Sequence, residues 1–405
     1  MKKVVVFFCL SLNAMLAFSQ WTVLPSGTTN HLNSVYFPFD NTGYVVGSSG
    51  TILKTIDAGS DWIALPSGTT NDLQSVYFTS ADTGYAAGRM GLILKTIDSG
   101  ATWVVLPTGT TSDLFSICFT GPDTGIAVGG DFMGNETILK TIDGGTTWTD
   151  VSTGTVAVLL SVCFPDADTG YAVGINPFMA TGGVILKTTD GGDNWTTLSA
   201  GTFNGLYSVD FTGTETGFAV GMFGMLLKTI NGGTTWTNYP TGTSNTFSTV
   251  FFPDNNTGYV AGSMGTIFKT LNGGNTWFQI PSGTEDGLFS IYFSNADTGY
   301  VTGIFGTIIK TSVGGTFPVG TAGLSNTSNR LNIYPNPSSG VFTIETSEIS
   351  GHDQLSILNS GGTNLFTCQI TGPKTQIDVT NLPGGVYFVR LTNDKSVVTG
   401  KYVKL

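Results

Sequence analysis

TIDGGTTW, Thr141 to Trp148, is one copy of a box that recurs along the chain. TIDAGSDW (Thr55 to Trp62), TIDSGATW (Thr96 to Trp103), TTDGGDNW (Thr188 to Trp195), TINGGTTW (Thr229 to Trp236) and TLNGGNTW (Thr270 to Trp277) repeat it. A worn copy, TSVGGTF, spans Thr311 to Phe317. An Asp or Asn at the third position accepts hydrogen bonds from backbone N–H groups just ahead of it. The Gly that follows adopts positive φ without a steric penalty. The Trp then enters the next strand and buries a large ring. The box therefore reads as a hairpin corner with an aromatic anchor. Its structural residues are Asp57, Asp98, Asp143, Asp190, Asn231 and Asn272, with Trp62, Trp103, Trp148, Trp195, Trp236 and Trp277.

The spacing around the box is regular. Trp stands at 21, 62, 103, 148, 195, 236 and 277, and from each Trp to the Gly of the next Thr-Gly pair is always 22 residues. Five of the seven steps from that Gly to the repeat Lys are 11 residues; the others are 15 (Gly125 to Lys140) and 17 (Gly170 to Lys187). All length variation falls in one loop of two adjacent repeats. A typical unit reads as four short strands: WIALP from Trp62, then LQSVYF, TGYAAG and LILKT. β-branched and aromatic residues fill the runs, and Gly, Thr, Asn and Asp fill the gaps. A period near 41 with four strands predicts an all-β fold, a seven-bladed β-propeller with four-stranded blades. Trp21 to Leu24 has no blade of its own, so the N-terminal strand is expected to close the last blade and remove exposed edges. The Lys of each ILKT run is expected to lay its stem on apolar surface near the blade's Trp, with its amine in water. The box resembles the Asp-box (BNR) repeat.

At 405 residues with 11% charged residues and 56 Gly, the chain suits more than one β-rich domain. Residues 1–19 read as a signal peptide: Lys2–Lys3, an apolar run, then Ala17-Phe18-Ser19 as the cleavage site. Residues 20–317 form the propeller, 318–330 a small-residue linker, and 331–405 a second domain. No other apolar run is long enough to span a membrane. Cys118 and Cys163 fill one slot of successive repeats, which argues against a disulfide between them. No metal-type Cys/His spacing is present, and no cofactor is expected.

The last segment opens with LNIYPNPSSGVFTIET and closes with LPGGVYFVRLTNDKSVVTGKYVKL. Its alternation reads as a small Ig-like β-sandwich. Tyr334-Pro335-Asn336-Pro337, Gly340, Leu382-Pro383, Gly385-Val386-Tyr387 and the basic end Lys401 to Lys404 resemble the type A C-terminal sorting domain of type IX secretion cargo. That resemblance implies partners in the type IX secretion machinery and a sortase-like peptidase. It implies export through the periplasm of a Gram-negative bacterium, to the cell surface or the exterior. The pattern TGYAAG…GLILKTIDSGATW is similar to repeats of the photosystem II assembly and stability factor family. That family's role is assisting assembly of a membrane complex, and the repeat occurs on a fold with many functions.

Enzyme chemistry finds little support. A sialidase of Asp-box type needs an Arg cluster, and Arg89 is the one Arg between residues 20 and 317. A glycosidase needs two carboxylates across a cleft, whereas most acids here sit in repeat turn slots. Asp210 is the exception: its slot elsewhere holds Tyr36, Tyr77, Cys118, Cys163, Phe251 and Tyr292. It is expected to face a wet central channel. Over residues 20–317, 22 Asp and Glu against 8 Lys and Arg leave a formal net of −14, which argues against nucleic acid and anionic membranes. The turn between the second and third strands of a propeller blade (strand three to four of the unit counted from its Trp) carries large apolar residues instead of polar ones. They are Met90; Phe132 and Met133; Phe178 and Met179; Met222 and Phe223; Met264; and Ile304 and Phe305. The first blade has Ser48 and Ser49 there. The expectation is a non-catalytic propeller that binds a protein or glycan through this ring of Met and Phe. The alternatives are a glycoside hydrolase and an assembly helper.

Overall fold

The computed structural model describes residues 21–131, 133–178, 182–315, 331–346, 354–359, 364–370, 372–392 and 397–404. The stretch read as a signal peptide, the stretch read as a linker, Phe132, Met179 and Phe317 lie outside them. The chain divides into two compact units, Met1–Phe317 and Pro318–Leu405.

The first unit holds seven four-stranded antiparallel sheets. Blade one runs Leu32–Tyr36, Gly43–Gly47, Ile52–Thr55 and Ile63–Leu65 from the axis outward. The second strand of every blade is buried throughout its central residues, and the outermost strand is largely exposed. Blade seven is Leu288–Phe293, Gly299–Gly303 and Ile308–Thr311, completed by Thr22–Leu24. The closing register is Thr22↔Lys310, Val23↔Ile309, Leu24↔Ile308. The N-terminal strand thus seals the ring, as the orphan Trp21 predicted.

Hydroxyl groups tie the innermost strands to one another. Ser34, Ser75, Ser116, Ser161 and Ser208 each accept a backbone N–H from the following blade at 3.2–3.3 Å, and Ser290 accepts that of Val35. Farther out, aromatic rings bridge the blades. Tyr44 stacks on Phe78 of blade two at 4.0 Å, and Phe78 meets Trp103 edge-on at 6.2 Å. The same sequence of rings recurs, as in Tyr85–Phe119–Trp148 and Tyr171–Phe211–Trp236. Such pairs contribute about 0.5–1.5 kcal/mol each beyond their burial. The Gly of each Thr-Gly pair makes room for this. A Cβ on Gly43 would lie 2.4 Å from the Phe37 ring. That Gly is required by space, not by an unusual φ.

Each Asp-box corner is built as its chemistry suggests. Asp98 accepts the Thr102 N–H at 2.8 Å and hydroxyls of Thr96 and Thr102, which hold its carboxyl down at about 2. Gly144 and Gly145 adopt φ of 65° and 83°. The corner is fastened to the first turn of its own blade: Ser99 N–H donates to the Asp82 carbonyl at 3.0 Å, and Gly144 N–H to that of Asp123 at 2.9 Å. These two sets of turns therefore share one face, here the corner face.

The repeat Lys corrects the expectation of an amine in water. Lys95 Nζ donates to the Gly144 carbonyl of the next blade's corner at 2.7 Å, and the Tyr85 hydroxyl donates to the same oxygen at 2.9 Å. Lys54, Lys187, Lys228, Lys269 and Lys310 make the matching bond at 2.6–2.7 Å. Each of these amines except Lys140 lies 5.1–5.5 Å from the centre of its own blade's Tyr or Phe ring, not its Trp. Lys269 is fully buried, and burial lowers its amine to about 8. The step from blade three to blade four departs from the pattern. Ile126 replaces the Tyr, and Lys140 reaches the Asp193 carboxylate at 2.6 Å instead.

The second unit is a sandwich of two antiparallel sheets. One orders Asn332–Tyr334, Val341–Glu345 and Lys374–Asp378; the other orders Asn364–Gln369, Gln354–Leu358, Gly385–Thr392 and Val397–Lys404. Phe342, Ile344, Leu355, Ile357, Val389 and Tyr402 form its core. The separated motifs meet here. Asn336 donates to the Lys401 carbonyl at 2.6 Å and accepts the Val403 N–H at 2.8 Å. Ser338 and Tyr402 share a buried hydroxyl bond of 2.7 Å, and Lys404 Nζ donates to the carbonyls of Thr380 and Leu382.

Candidate functional site

The face opposite the corners carries the loops between second and third strands. In five blades this loop is one tight turn with a non-glycine residue at its apex in the left-handed region. These apices are Ser49, Met90, Phe223, Met264 and Phe305, with φ of 55–60°. A bulky side chain there costs on the order of 1–2 kcal/mol. The next blade holds the apex from below. Ser49 N–H donates to Asp72 Oδ1 at 2.9 Å, Met90 N–H to Asp113 Oδ1 at 2.9 Å, and Phe305 N–H to His31 Nδ1 at 3.2 Å.

The apex side chains point to solvent. Met90, Met133, Phe178, Met264 and Phe305 are 65–76% exposed and Phe223 is 59% exposed. Met222 is half-buried, with its sulfur beside Gly205. The two long loops meet: Phe178, its N–H held by Asn176 Oδ1 at 3.0 Å, lies over Gly134, where a Cβ would be 2.9 Å from the ring. Val156 packs at the same point. Asp131 accepts the N–H groups of Met133 and Asn135 and pins the other loop. Sequence reading missed Phe203, which is 81% exposed in the loop that leads to blade five.

Beside the apices of blades six and seven lie two open grooves in equivalent positions. One of about 490 Å³ runs between Met264 and the stretch Gln279 to Glu285. The other, about 690 Å³, runs between Phe305 and the stretch Val23 to Thr29. Arg89 sits on this face between two carboxylates, 3.2 Å from Asp72 and 3.8 Å from Asp113. Those acids thus spend their oxygens on Arg89 and on the apex N–H groups. Buried Glu136 accepts the Thr153 hydroxyl at 2.5 Å and the Thr155 N–H at 3.2 Å. Among the described residues no group of His, Cys, Asp and Glu has the arrangement to hold a metal.

At the axis, successive rings of Tyr77, Tyr36, Tyr292 and Phe251 lie 5.0–5.3 Å apart. Cys118, Cys163 and Asp210 complete the circle with small side chains, and both thiols are unbonded. Asp210 lies in this axial ring and is half-buried. It accepts the Phe252 N–H at 2.7 Å and its neighbour's N–H at 2.9 Å. Burial outweighs both bonds and raises its carboxyl to about 7.

Residues 332–405 match the family model of a secretion system C-terminal sorting domain. Residues 13–111 and 147–243 match the model of the photosynthesis system II assembly factor YCF48. No curated protein matches the chain. Among solved structures, YCF48 bound to D1 peptide is similar at 20% identity and TM-score 0.62, over 74% of this chain and 97% of that one. YCF48 from Cyanidioschyzon merolae is similar at 20% identity and TM-score 0.61, over 72% and 98%. The GH74 enzyme of Niastella koreensis is similar at 16% identity and TM-score 0.57, over 95% of this chain and 74% of that one. At these identities the likeness is one of fold. The sorting domain implies export, and no helix among the described residues is long and apolar enough to cross a membrane. The chain therefore joins a seven-bladed Asp-box propeller, similar to the YCF48 family, to a C-terminal domain of the secretion-system sorting class.

Proposed function

We propose that the propeller is a non-catalytic binding module that holds a partner polypeptide on its loop face. The sorting domain would deliver it through the type IX machinery of a Gram-negative cell, with removal by a sortase-like peptidase, to the cell surface or the medium. The observation that carries this reading is the set of large apolar side chains exposed on the loop face, four of them at strained apices. Exposed apolar patches of this kind mark binding surfaces, and backbone strain is retained where function uses it. Met and Phe adapt to irregular partners. A peptide is favoured over a glycan because a solved structure of similar fold has a peptide bound. The engagement of Asp72 and Asp113 by the single Arg89 and by the apex N–H groups supports the non-catalytic reading, since both carboxylates are already used in holding the loops.

The second reading, a glycoside hydrolase, is favoured by the likeness to the GH74 enzyme. One experiment separates the two. The mature chain and a Met133→Ser, Phe178→Ser, Phe223→Ser variant are screened on peptide and glycan arrays and assayed for release of reducing sugar from polysaccharides. Binding to peptides that the variant loses, with an unchanged melting curve, is the expected result. Equal binding by both proteins removes the loop face from consideration, and sugar release establishes the hydrolase.

A further inference from the structure

The second position of the Asp-box supports nothing in the corner, yet it is apolar in five of seven blades. Ile56, Ile97, Ile142 and Ile230 are 67–71% exposed and Leu271 is 56% exposed. Thr189 and Ser312 hold the slot in blades four and seven. The corner bonds run through the flanking Thr and Asp, as in Thr96 and Asp98, so no fold requirement selects an aliphatic side chain there. An apolar side chain left in water at a regular angular step around a disc makes an open ring, not a set of scattered exposures.

The charge around that ring is one-sided. Eight acids in the first turns, such as Asp82, Asp123 and Glu215, and six in the corners, such as Asp98 and Asp193, make fourteen of the propeller's 22 on this face. Its cations are the seven repeat lysines, and every one is engaged with a carbonyl or carboxylate of the neighbouring corner. Fourteen acids against seven lysines leave seven uncompensated negative charges. A second copy of the same face and an anionic bilayer are both repelled. A surface that offers lysine or arginine beside aliphatic side chains matches the ring in both respects.

We propose that the corner face is a second docking surface, distinct from the apical loops, for a basic polypeptide segment with interspersed aliphatic side chains. Aliphatic contacts would fall on Ile97, Ile142 and Ile230, and cationic groups on the flanking aspartates.

The test uses the mature full chain and two synthetic peptides of equal charge, one of leucine and lysine, one of serine and lysine. Binding is read by calorimetry. The leucine–lysine peptide is expected to bind more tightly than its serine counterpart. An Ile97→Ser, Ile142→Ser, Ile230→Ser variant is expected to lose roughly tenfold in affinity. Raising salt from about 0.05 to about 0.5 M is expected to weaken the wild-type complex. Asp40→Asn with Asp168→Asn, at exposed turn positions, supplies a charge variant that leaves the corners intact and should also weaken binding. Equal affinity for the two peptides, an unaltered affinity in the isoleucine variant, or a loss of binding in Phe178→Ser on the opposite face would each overturn the proposal. So would a wild-type dimer that the isoleucine variant dissolves.

Discussion

Replacing Asp210 by Tyr tests the axial ring. The slot holds Tyr36, Tyr77 and Tyr292 in other blades, and Tyr77 donates its hydroxyl to the Phe119 carbonyl of the following blade at 3.0 Å. Asp210 instead accepts the Phe252 N–H of its following blade. Burial raises its carboxyl from 3.8 to about 7. A folded-state value above the unfolded one means that the native protein binds more protons between those limits. Stability therefore falls as pH rises through that window. The full shift corresponds to roughly 4 kcal/mol above the folded value. The side chain is only half-buried, so solvent screening reduces this to about 1–2 kcal/mol. Urea unfolding of wild type and Asp210→Tyr at about pH 5 and about pH 7.5 reads the effect. The wild type should lose about 1–2 kcal/mol relative to the variant between the two conditions. The corner carboxylates do not interfere. Asp98 and Asp190 are lowered to about 2, so their contribution is lost only as pH falls below the ordinary range. Parallel pH profiles for the two proteins would refute the account of a carboxylate strained by burial.

Four further outcomes are expected. Lys269→Met should cost about 1–2 kcal/mol in urea unfolding, because it removes a buried donor from the Gly314 carbonyl; a neutral result would mean that the Tyr259 hydroxyl alone suffices there. Ile126→Tyr should stabilise the propeller by about 0.5–1.5 kcal/mol by restoring a ring against Phe164, and a lower melting temperature would refute the stacking argument. Deleting Thr22–Leu24 should lower the melting temperature and promote aggregation measured by light scattering, since it reopens the edge of Ile308–Thr311. Asn336→Ala should destabilise the C-terminal sandwich by about 1–3 kcal/mol, measured on the isolated melting transition, because it strands the Lys401 carbonyl and Val403 N–H.

The number of blades and the ring closure were legible because they depend on residues that recur at fixed intervals. Trp, Lys and the Thr-Gly pair mark the period without reference to anything outside the repeat. The loop face stood out for a related reason: Met and Phe contradicted the polar chemistry of a tight turn, but whether they fold inward or face water was settled only by the turn geometry. Relations between blades were hidden. The Lys95 amine meets a carbonyl 49 positions away, on a backbone atom that every residue possesses. No side-chain identity marks such an acceptor. One signal was nevertheless present. Ile126 and Asp193 are both departures from the repeat, and they lie on the two sides of one interface, where Lys140 turns from carbonyl to carboxylate. Paired departures in successive repeats therefore point to a contact between repeats, as a single departure cannot. The isoleucines of the corners were missed for the opposite reason. An apolar residue after a strand reads as core, and its exposure follows only from the corner geometry. The Thr96 hydroxyl turns inward to the Gly100 N–H and Asp98 Oδ1, and this leaves Ile97 on the outside of the bend. The corner thus fixes which box position meets solvent, and the side chain chosen there is free to serve a partner without cost to the fold.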